Sequence, residues 1–318
     1  MRTLIFALSL AGLAAPALAA PPEVVTDIPP VQSLVAQVMG DLGTPGLLLP
    51  PGGSPHGHQM RPSEARALHE AQLLFWIGPE QSPWLGDAAA DIGSSLTSVP
   101  LLAVPGTVVR TARAHDHHDH DHDHDHDEDG HEEGHDEHEE EHTSDDGHVH
   151  EGIDPHAWLD PENAMTWLPE IARQLAVADP SNADTYRSNA EAAMTRVDEL
   201  RARIAAELSG VTGGYIFYHD AYGYFTGRFG LPSGEAVTDG DAAPPGARRM
   251  AELQAGGDPH GCLFTEPQFD PRSAQRLAES LGVTVGVLDP VGSTLEPGPD
   301  LYGTLLQGIA DQLAKCGS

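Results

Sequence analysis

The stretch that decides the architecture is "DPSNADTYRSNAEAAMTRVDELRARIAAELSG", residues 179–210. Asp-Pro is a helix-start signal, and Ser209-Gly210 is a stop. Between them Tyr186, Ala190, Ala193, Met194, Val197, Leu200, Ile204 and Leu208 fall at spacings of three and four. That periodicity predicts one helix of roughly 28 residues, about 42 Å long at 1.5 Å per residue. A helix of this length in a globular chain acts as a strut between two bodies.

The sequence on either side of the strut alternates between short apolar runs and helical patterns. Upstream, Val24-Val25-Thr26, "GLLLP" (46–50), "LLFWIG" (73–78) and "SVPLLAV" (98–104) read as strands. Helical patterns run from Val31 to Val38, from Pro62 through "SEARALHEAQ", and from Asp160-Pro161-Glu162 to about Ala176. Downstream, "GYIFYH" (214–219), "GCLFTE" (261–266) and "VTVGVLD" (283–289) read as strands, and "AYGYFTGRF", "PRSAQRLAESLG" and "LYGTLLQGIADQLAKC" as helices. Strands alternating with helices mean βαβ units and a mainly parallel sheet. The fold class expected is therefore α/β, with two lobes joined by one long rigid helix. The expected division is a leader at 1–20, a first lobe at 21–178, the linking helix at 179–210 and a second lobe at 211–318. At 318 residues the chain suits two domains of roughly 150 residues each.

Composition narrows the function. The formal net charge is −33 with His neutral, which argues against nucleic acid and anionic membrane surfaces as partners. It suits a cationic ligand. Residues 1–20, "MRTLIFALSLAGLAAPALAA", carry Arg2, a short apolar run at 4–13 and the small-x-small site Ala17-Leu18-Ala19, the pattern of a secretory leader. The run is short for a bilayer span, so the mature chain is expected to be exported and soluble. The two cysteines, Cys262 and Cys316, form a disulfide in an oxidising compartment. The bond closes a loop of about 54 residues, contributing up to about 4 kcal/mol by chain entropy.

Residues 115–151 hold 13 His and 18 Asp or Glu, with no Lys or Arg. They therefore carry 18 of the 33 net negative charges. The tract has no apolar periodicity, so it is expected to be disordered. Its imidazoles and carboxylates bind divalent metals, but many equivalent ligand sets on a flexible segment predict several weak sites. "HEEGH" (131–135) and "HEEEH" (138–142) match the H-E-x-x-H pattern of zinc proteases, a match that carries meaning only on a buried helix.

Other histidines are quieter. His56 follows the run "GLLLP", His219 ends "YIFYH" and Asp289 ends "VTVGVLD". In open α/β sheets ligands bind beyond the carboxyl ends of the strands, so these three converge on a cleft between lobes. His156, in "IDPHAWLDPE", stands on the approach to a helix as a fourth candidate. Glu266 follows a strand and serves either the metal ligands or the packing. Trp76, Trp84 and Trp158 read as lobe packing.

Five stretches, "LLLPPGGSPHGHQMRPSEARALHEAQLLFWIGPE", "DPHAWLDPENA", "YHDAYGYFTGRFGL", "CLFTEPQFDP" and "VGVLDPVG", resemble the periplasmic zinc-binding proteins of bacterial zinc ABC importers, the ZnuA type among the cluster A-I solute-binding proteins. The resemblance spans nearly the whole mature chain, and the central His/acidic loop and Cys pair also fit it. It implies metal in the interlobe cleft, with Zn²⁺ held by His56, His156 and His219. Manganese-type relatives tend to carry a carboxylate where this chain has His219, and three imidazoles suit zinc. Asp289 matches a frequent carboxylate ligand, with water as the alternative. The Glu that some zinc members place before the first His is Pro55 here. His58 is an alternative ligand.

The resemblance further implies a monomeric carrier rather than an enzyme. It would deliver zinc to a membrane permease driven by a cytoplasmic ATPase, with a periplasmic metallochaperone as a further possible partner. The tract would then be an accessory that gathers or senses zinc beside His156. The rival readings are a zinc buffer or metallochaperone without a transporter, a manganese-type importer protein, and a zinc hydrolase.

Overall fold

The structure, a computed structural model, describes residues 20–50, 52–53, 55, 58–112, 152–238, 246–255 and 260–316. His56, nearly all of the expected leader and the His/Asp/Glu tract lie outside the described residues.

The first lobe contains β1 (Val24–Thr26), α1 (Pro29–Met39), β2 (Gly46–Leu47), α2 (Pro62–Glu70), β3 (Leu73–Trp76), α3 (Pro83–Ile92) and β4 (Thr97–Pro100). All pairings in its sheet are parallel, in the order β2-β1-β3-β4. Then come α4 (Pro161–Ala178) and the long α5 (Ala183–Glu207). The second lobe contains β5 (Gly214–His219), α6 (Gly223–Phe229), β6 (Glu235–Thr238), α7 (Ala247–Ala255), β7 (His260–Thr265), α8 (Pro271–Leu281), β8 (Thr284–Val287) and α9 (Leu301–Cys316). Its sheet is also parallel, in the order β6-β5-β7-β8. The fold is thus a two-lobed α/β architecture. Strands covered on both faces read as unbroken apolar runs, as β3 (LLFW) does with every residue buried.

The long helix is 25 residues, about 37 Å, and is shorter than its periodicity suggested. Residues 180–182 wind instead as a three-ten turn. The Asp179 carboxylate accepts from Asn182 Nδ2 (2.6 Å) and the Tyr186 hydroxyl (3.0 Å), and so anchors the first turn through side chains. "GLLLP" yields only a two-residue strand at the sheet edge, and beyond it the Leu48 and Leu49 N–H groups bond the Thr26 and Asp27 carbonyls. Three elements escaped the sequence reading. α3 (PWLGDAAADI) is rich in Ala, with Leu85 and Ala89 its buried residues, so its stripe is faint. β6 is four residues long, and α7 is mostly polar.

The core explains how the lobes sit together. One cluster lies between the first sheet and α2 and α3, holding Leu74, Trp76 and Leu85. Another lies between the second sheet and α7 and α8, holding Ile216, Leu253, Leu263 and Leu277. The largest cluster belongs to both lobes. It joins Phe75 of the first sheet and Phe217 and Phe264 of the second through α1, α4, α5 and α9. Polar contacts close the same face. Ser33 of α1 donates to the Pro299 carbonyl (3.0 Å) and accepts from the Tyr302 backbone N–H of α9 (3.0 Å). Trp158 Nε1 donates to the Pro290 carbonyl (2.7 Å), and the Tyr302 hydroxyl donates to the Trp158 carbonyl (2.9 Å). A large apolar interface of this kind holds two lobes as one frame rather than leaving them free to swing.

At the end of β1, buried Asp27 accepts from the backbone N–H groups of Ile28 (2.8 Å) and Ile77 (2.9 Å). It thereby ties β1 to the loop after β3, and burial pushes its carboxyl up to about 7.

Candidate metal centre

Ala112 and Gly152 flank the tract that lies outside the described residues. The two ends meet as a short antiparallel neck, with Thr111 opposite Ile153. Ala112 N–H donates to the Gly152 carbonyl (2.9 Å), and Asp154 N–H to the Arg110 carbonyl (2.8 Å). The second lobe grips this neck from α6. The Tyr224 hydroxyl accepts from Arg110 N–H (2.8 Å) and donates to the Asp154 carbonyl (2.9 Å). The Arg110 guanidinium lies against α6, so close that a Cβ at Gly227 would sit 2.7 Å from its NH1 and would make that side chain shift.

Two residues past the neck comes His156. Asp154 Oδ1 accepts both its backbone N–H (3.0 Å) and its ring Nδ1–H (2.8 Å). An Asp reaching two residues forward in this way is an Asx turn. Here it holds the imidazole as well as the backbone. A three-ten turn (Ala157–Leu159) leads to Asp160, which caps α4 by accepting from Glu162 N–H (2.9 Å). Arg228 of α6 then reaches across from the second lobe. Its Nε and NH2 bond the two Asp160 oxygens at 2.7 and 2.8 Å. Paired in this bidentate way, the buried carboxylate is compensated, and the lobes are pinned together one turn from His156.

His219 ends β5, the strand between β6 and β7. Its Nδ1 lies 3.3 and 3.4 Å from the two oxygens of Glu266, which directly follows the adjacent strand β7. Glu266 is 2% exposed. The Tyr222 hydroxyl (3.1 Å) and Gln268 Nε2 (2.5 Å) donate to it. Burial, then the charges of Glu266 and Asp289, push the Tyr222 phenol well above its usual range, so it stays a proton donor.

Across the lobe boundary the His156 and His219 rings meet edge to face, with centroids 4.9 Å apart and planes at 72°. Both residues are buried, at 5% and 3% exposure. A carboxylate beside Nδ1 favours the tautomer with the proton there, which makes Nε2 the metal-binding nitrogen of a neutral ring.

The other sequence candidates are placed differently. Asp289 stands beyond β8 and is half-buried, near enough to Tyr222 to act on it electrostatically. Its carboxylate accepts from the backbone N–H and hydroxyl of both Ser293 and Thr294, which fixes the turn that follows. Three of those donors meet Oδ2 and one meets Oδ1. His58 Nε2 pairs with Glu64 at 2.7 Å, and its ring packs edge-on against Trp84. His56 lies outside the described residues. Among those residues no group of three or more His, Cys, Asp and Glu side chains gathers closely enough to hold a metal. Of the sequence candidates, the structure brings His156 and His219 together. Trp76, Trp84 and Trp158 each donate their indole N–H, to Ser98, Pro55 and Pro290 respectively. Asp154 and Arg228 were missed by the sequence reading. Asp154 had a signal, since Asp two residues before a His can turn back onto it; Arg228 had none.

The family described as "ZnuA: Zinc-uptake complex component A periplasmic" matches residues 24–316. This chain belongs to that family. Among the relatives of ZnuA name, the high-affinity zinc uptake system protein ZnuA of Paracoccus denitrificans is 43% identical, covering 99% of this chain and 97% of its own. The ZnuA of Brucella abortus is 36% identical, covering 96% and 95%. In three dimensions the chain resembles a zinc-bound ZnuA deletion mutant at TM-score 0.73 and 22% identity, covering 94% of this chain and 98% of that one. It resembles the solute-binding protein FpvC of Pseudomonas aeruginosa, solved with Mn²⁺, equally well at 0.73, with 18% identity and coverage of 93% and 98%.

The Cys262–Cys316 disulfide is formed and ties β7 to the end of α9. Among the described residues no helix is long and apolar enough to cross a membrane.

Proposed function

We propose that this chain captures Zn²⁺ in the periplasm and presents it to the membrane permease of an ABC importer, whose ATPase works on the cytoplasmic side. The observation that carries the proposal is the meeting of His156 and His219 from opposite lobes, each with Nδ1 held by a carboxylate. Two neutral imidazoles that meet in this way, each with a carboxylate on Nδ1, would supply half the ligands of a tetrahedral zinc site. His56 and Asp289 complete the set in this reading, and Asp289 Oδ1, with its single hydrogen bond, supplies the oxygen. Imidazole-rich ligation favours zinc over manganese, which prefers oxygen. The zinc-uptake names of the relatives point the same way.

The chain is a carrier rather than an enzyme in this reading, and it works as a monomer. Residues 1–20 direct export. The His/Asp/Glu tract, joined to the fold by the neck beside Asp154, raises the local zinc concentration next to the cleft. Many weak sites on a tether do this without selectivity of their own.

The test is a competitive chelator titration with Zn²⁺ on two purified mature forms, one intact and one lacking residues 116–150. One tight site surviving the deletion, with only weaker sites lost, is the expected result. Loss of tight binding with the tract would overturn the cleft site and leave a zinc buffer as the reading. A Mn²⁺ competition in the same assay is expected to leave the zinc site filled.

A further inference from the structure

We propose that Asp154 and Glu266 are the positioning residues of this centre: two carboxylates, one per lobe, that never touch the ion and yet set how tightly it is held. The inference rests on the zinc-capture reading and deepens it.

The two sides share an arrangement, which is closer in the first lobe than in the second. Each carboxylate lies on the Nδ1 edge of its histidine, at 2.8 Å for Asp154 and 3.3 Å for Glu266. The two ring nitrogens of an imidazole point apart, so a group on Nδ1 cannot share a metal bound at Nε2. What it does is stop ring rotation, fix the tautomer and make Nε2 a stronger base. Both carboxylates are buried, at 8% exposure for Asp154 and 2% for Glu266. Their negative charges are thus poorly screened and favour a divalent cation nearby.

Each carboxylate is itself held, by different means. Asp154 is fixed through its backbone, which bonds the Arg110 carbonyl and the Tyr224 hydroxyl. Glu266 is fixed through its side chain, by Tyr222 and Gln268. Tyr222 is itself buried at 1% exposure, whereas Gln268 is exposed. Gln268 therefore offers a way to loosen Glu266 without opening the core.

The experiment compares the wild type with Asp154→Asn, Glu266→Gln and Gln268→Leu, all as purified mature chains. Zinc affinity is read by chelator competition, the ligand field by the visible spectrum of the Co²⁺ form, and the fold by thermal melting of the metal-free protein. ¹⁵N imidazole shifts of the metal-free form report the tautomers. Asp154→Asn and Glu266→Gln are expected to weaken zinc about 10- to 100-fold. They should also shift the Co²⁺ bands and mix the tautomers, while the metal-free melt stays close to wild type. Gln268→Leu is expected to weaken zinc about two- to tenfold through the loss of one hydrogen bond on Glu266.

Affinities within about twofold of wild type, with unchanged Co²⁺ bands, would overturn the proposal. So would a loss of affinity that only tracks a lowered metal-free melt. If Glu266→Gln does not fold, Gln268→Leu decides the second lobe alone. A wild type without a tight cleft site would sink the zinc-capture reading itself, a result distinct from both.

Discussion

The two lobes carry sheets of the same strand order, yet each fixes its histidine by a different route. In the first lobe His156 sits on a loop, after the neck, and is held by Asp154, two residues away. In the second lobe His219 ends a strand and is held by Glu266, which is 47 residues away and follows the neighbouring strand. One arrangement is local and travels with the three-residue segment Asp154-Pro155-His156. The other exists only once β5 and β7 have paired. A half-site written into a turn survives changes to the sheet around it, whereas a half-site written across a sheet depends on strand register. The two meet correctly because Arg228–Asp160, the Tyr224 grip on the neck and the shared helical core fix one lobe against the other.

The sharpest way to break this comparison is to remove one imidazole at a time. His156→Ala and His219→Ala are each expected to weaken zinc by about a thousandfold, equivalent to about 4 kcal/mol. Chelator competition checks this, and a large effect from only one of them would end the idea of a site shared between lobes. Next comes the covalent asymmetry. Cys262→Ser opens a loop of about 54 residues in the second lobe and should remove up to about 4 kcal/mol of stability. Denaturant unfolding followed with separate probes in each lobe should show the second lobe loosening first.

Arg228→Ala leaves the buried Asp160 carboxylate without its partner and is expected to cost about 3 kcal/mol, read as a lowered melting temperature. Because the same pair pins the lobes, zinc affinity should fall with it. If stability drops while affinity holds, the frame does not set the distance between His156 and His219. The smallest effect belongs to His58→Gln. Burial raises the Glu64 carboxyl, but hydrogen bonds from Arg61 N–H and His58 outweigh it and hold the group below its usual 4.5. A carboxyl depressed in the folded state stabilises above its unfolded pKa, and the contribution fades as pH falls through the folded value. His58→Gln should therefore cost less than about 1 kcal/mol at neutral pH, with the difference from wild type shrinking below about pH 4.5. Its zinc affinity should stay within about twofold of wild type.

Much of the frame was legible in the sequence because it rests on period. Tyr186, Ala190, Ala193, Val197, Leu200 and Ile204 recur at helical spacing, and all are buried along α5. The apolar runs that became β3 and β5 needed only their composition. Elements with little apolar content, α7 above all, left no such trace. His156 and His219 were legible from where they stand relative to predicted elements. What the sequence could not show is pairing over distance. Nothing near Arg228 says that it reaches Asp160, 68 residues away. Nor does "VLDPVGST" reveal that Ser293 and Thr294 turn back onto Asp289 and occupy most of its lone pairs.

The last helix has a consequence for how the molecule comes into being. α9 follows both sheets in sequence, yet it packs on α1 of the first lobe and on the long helix α5. Until residues 299–316 exist, α1 lacks part of its cover and Ser33 lacks both of its partners. Domains otherwise tend to fold as the chain emerges, first lobe first. Here the early lobe must wait for a helix that follows the second sheet. A first lobe that cannot close until α9 arrives stays loosely packed while the second lobe is being made.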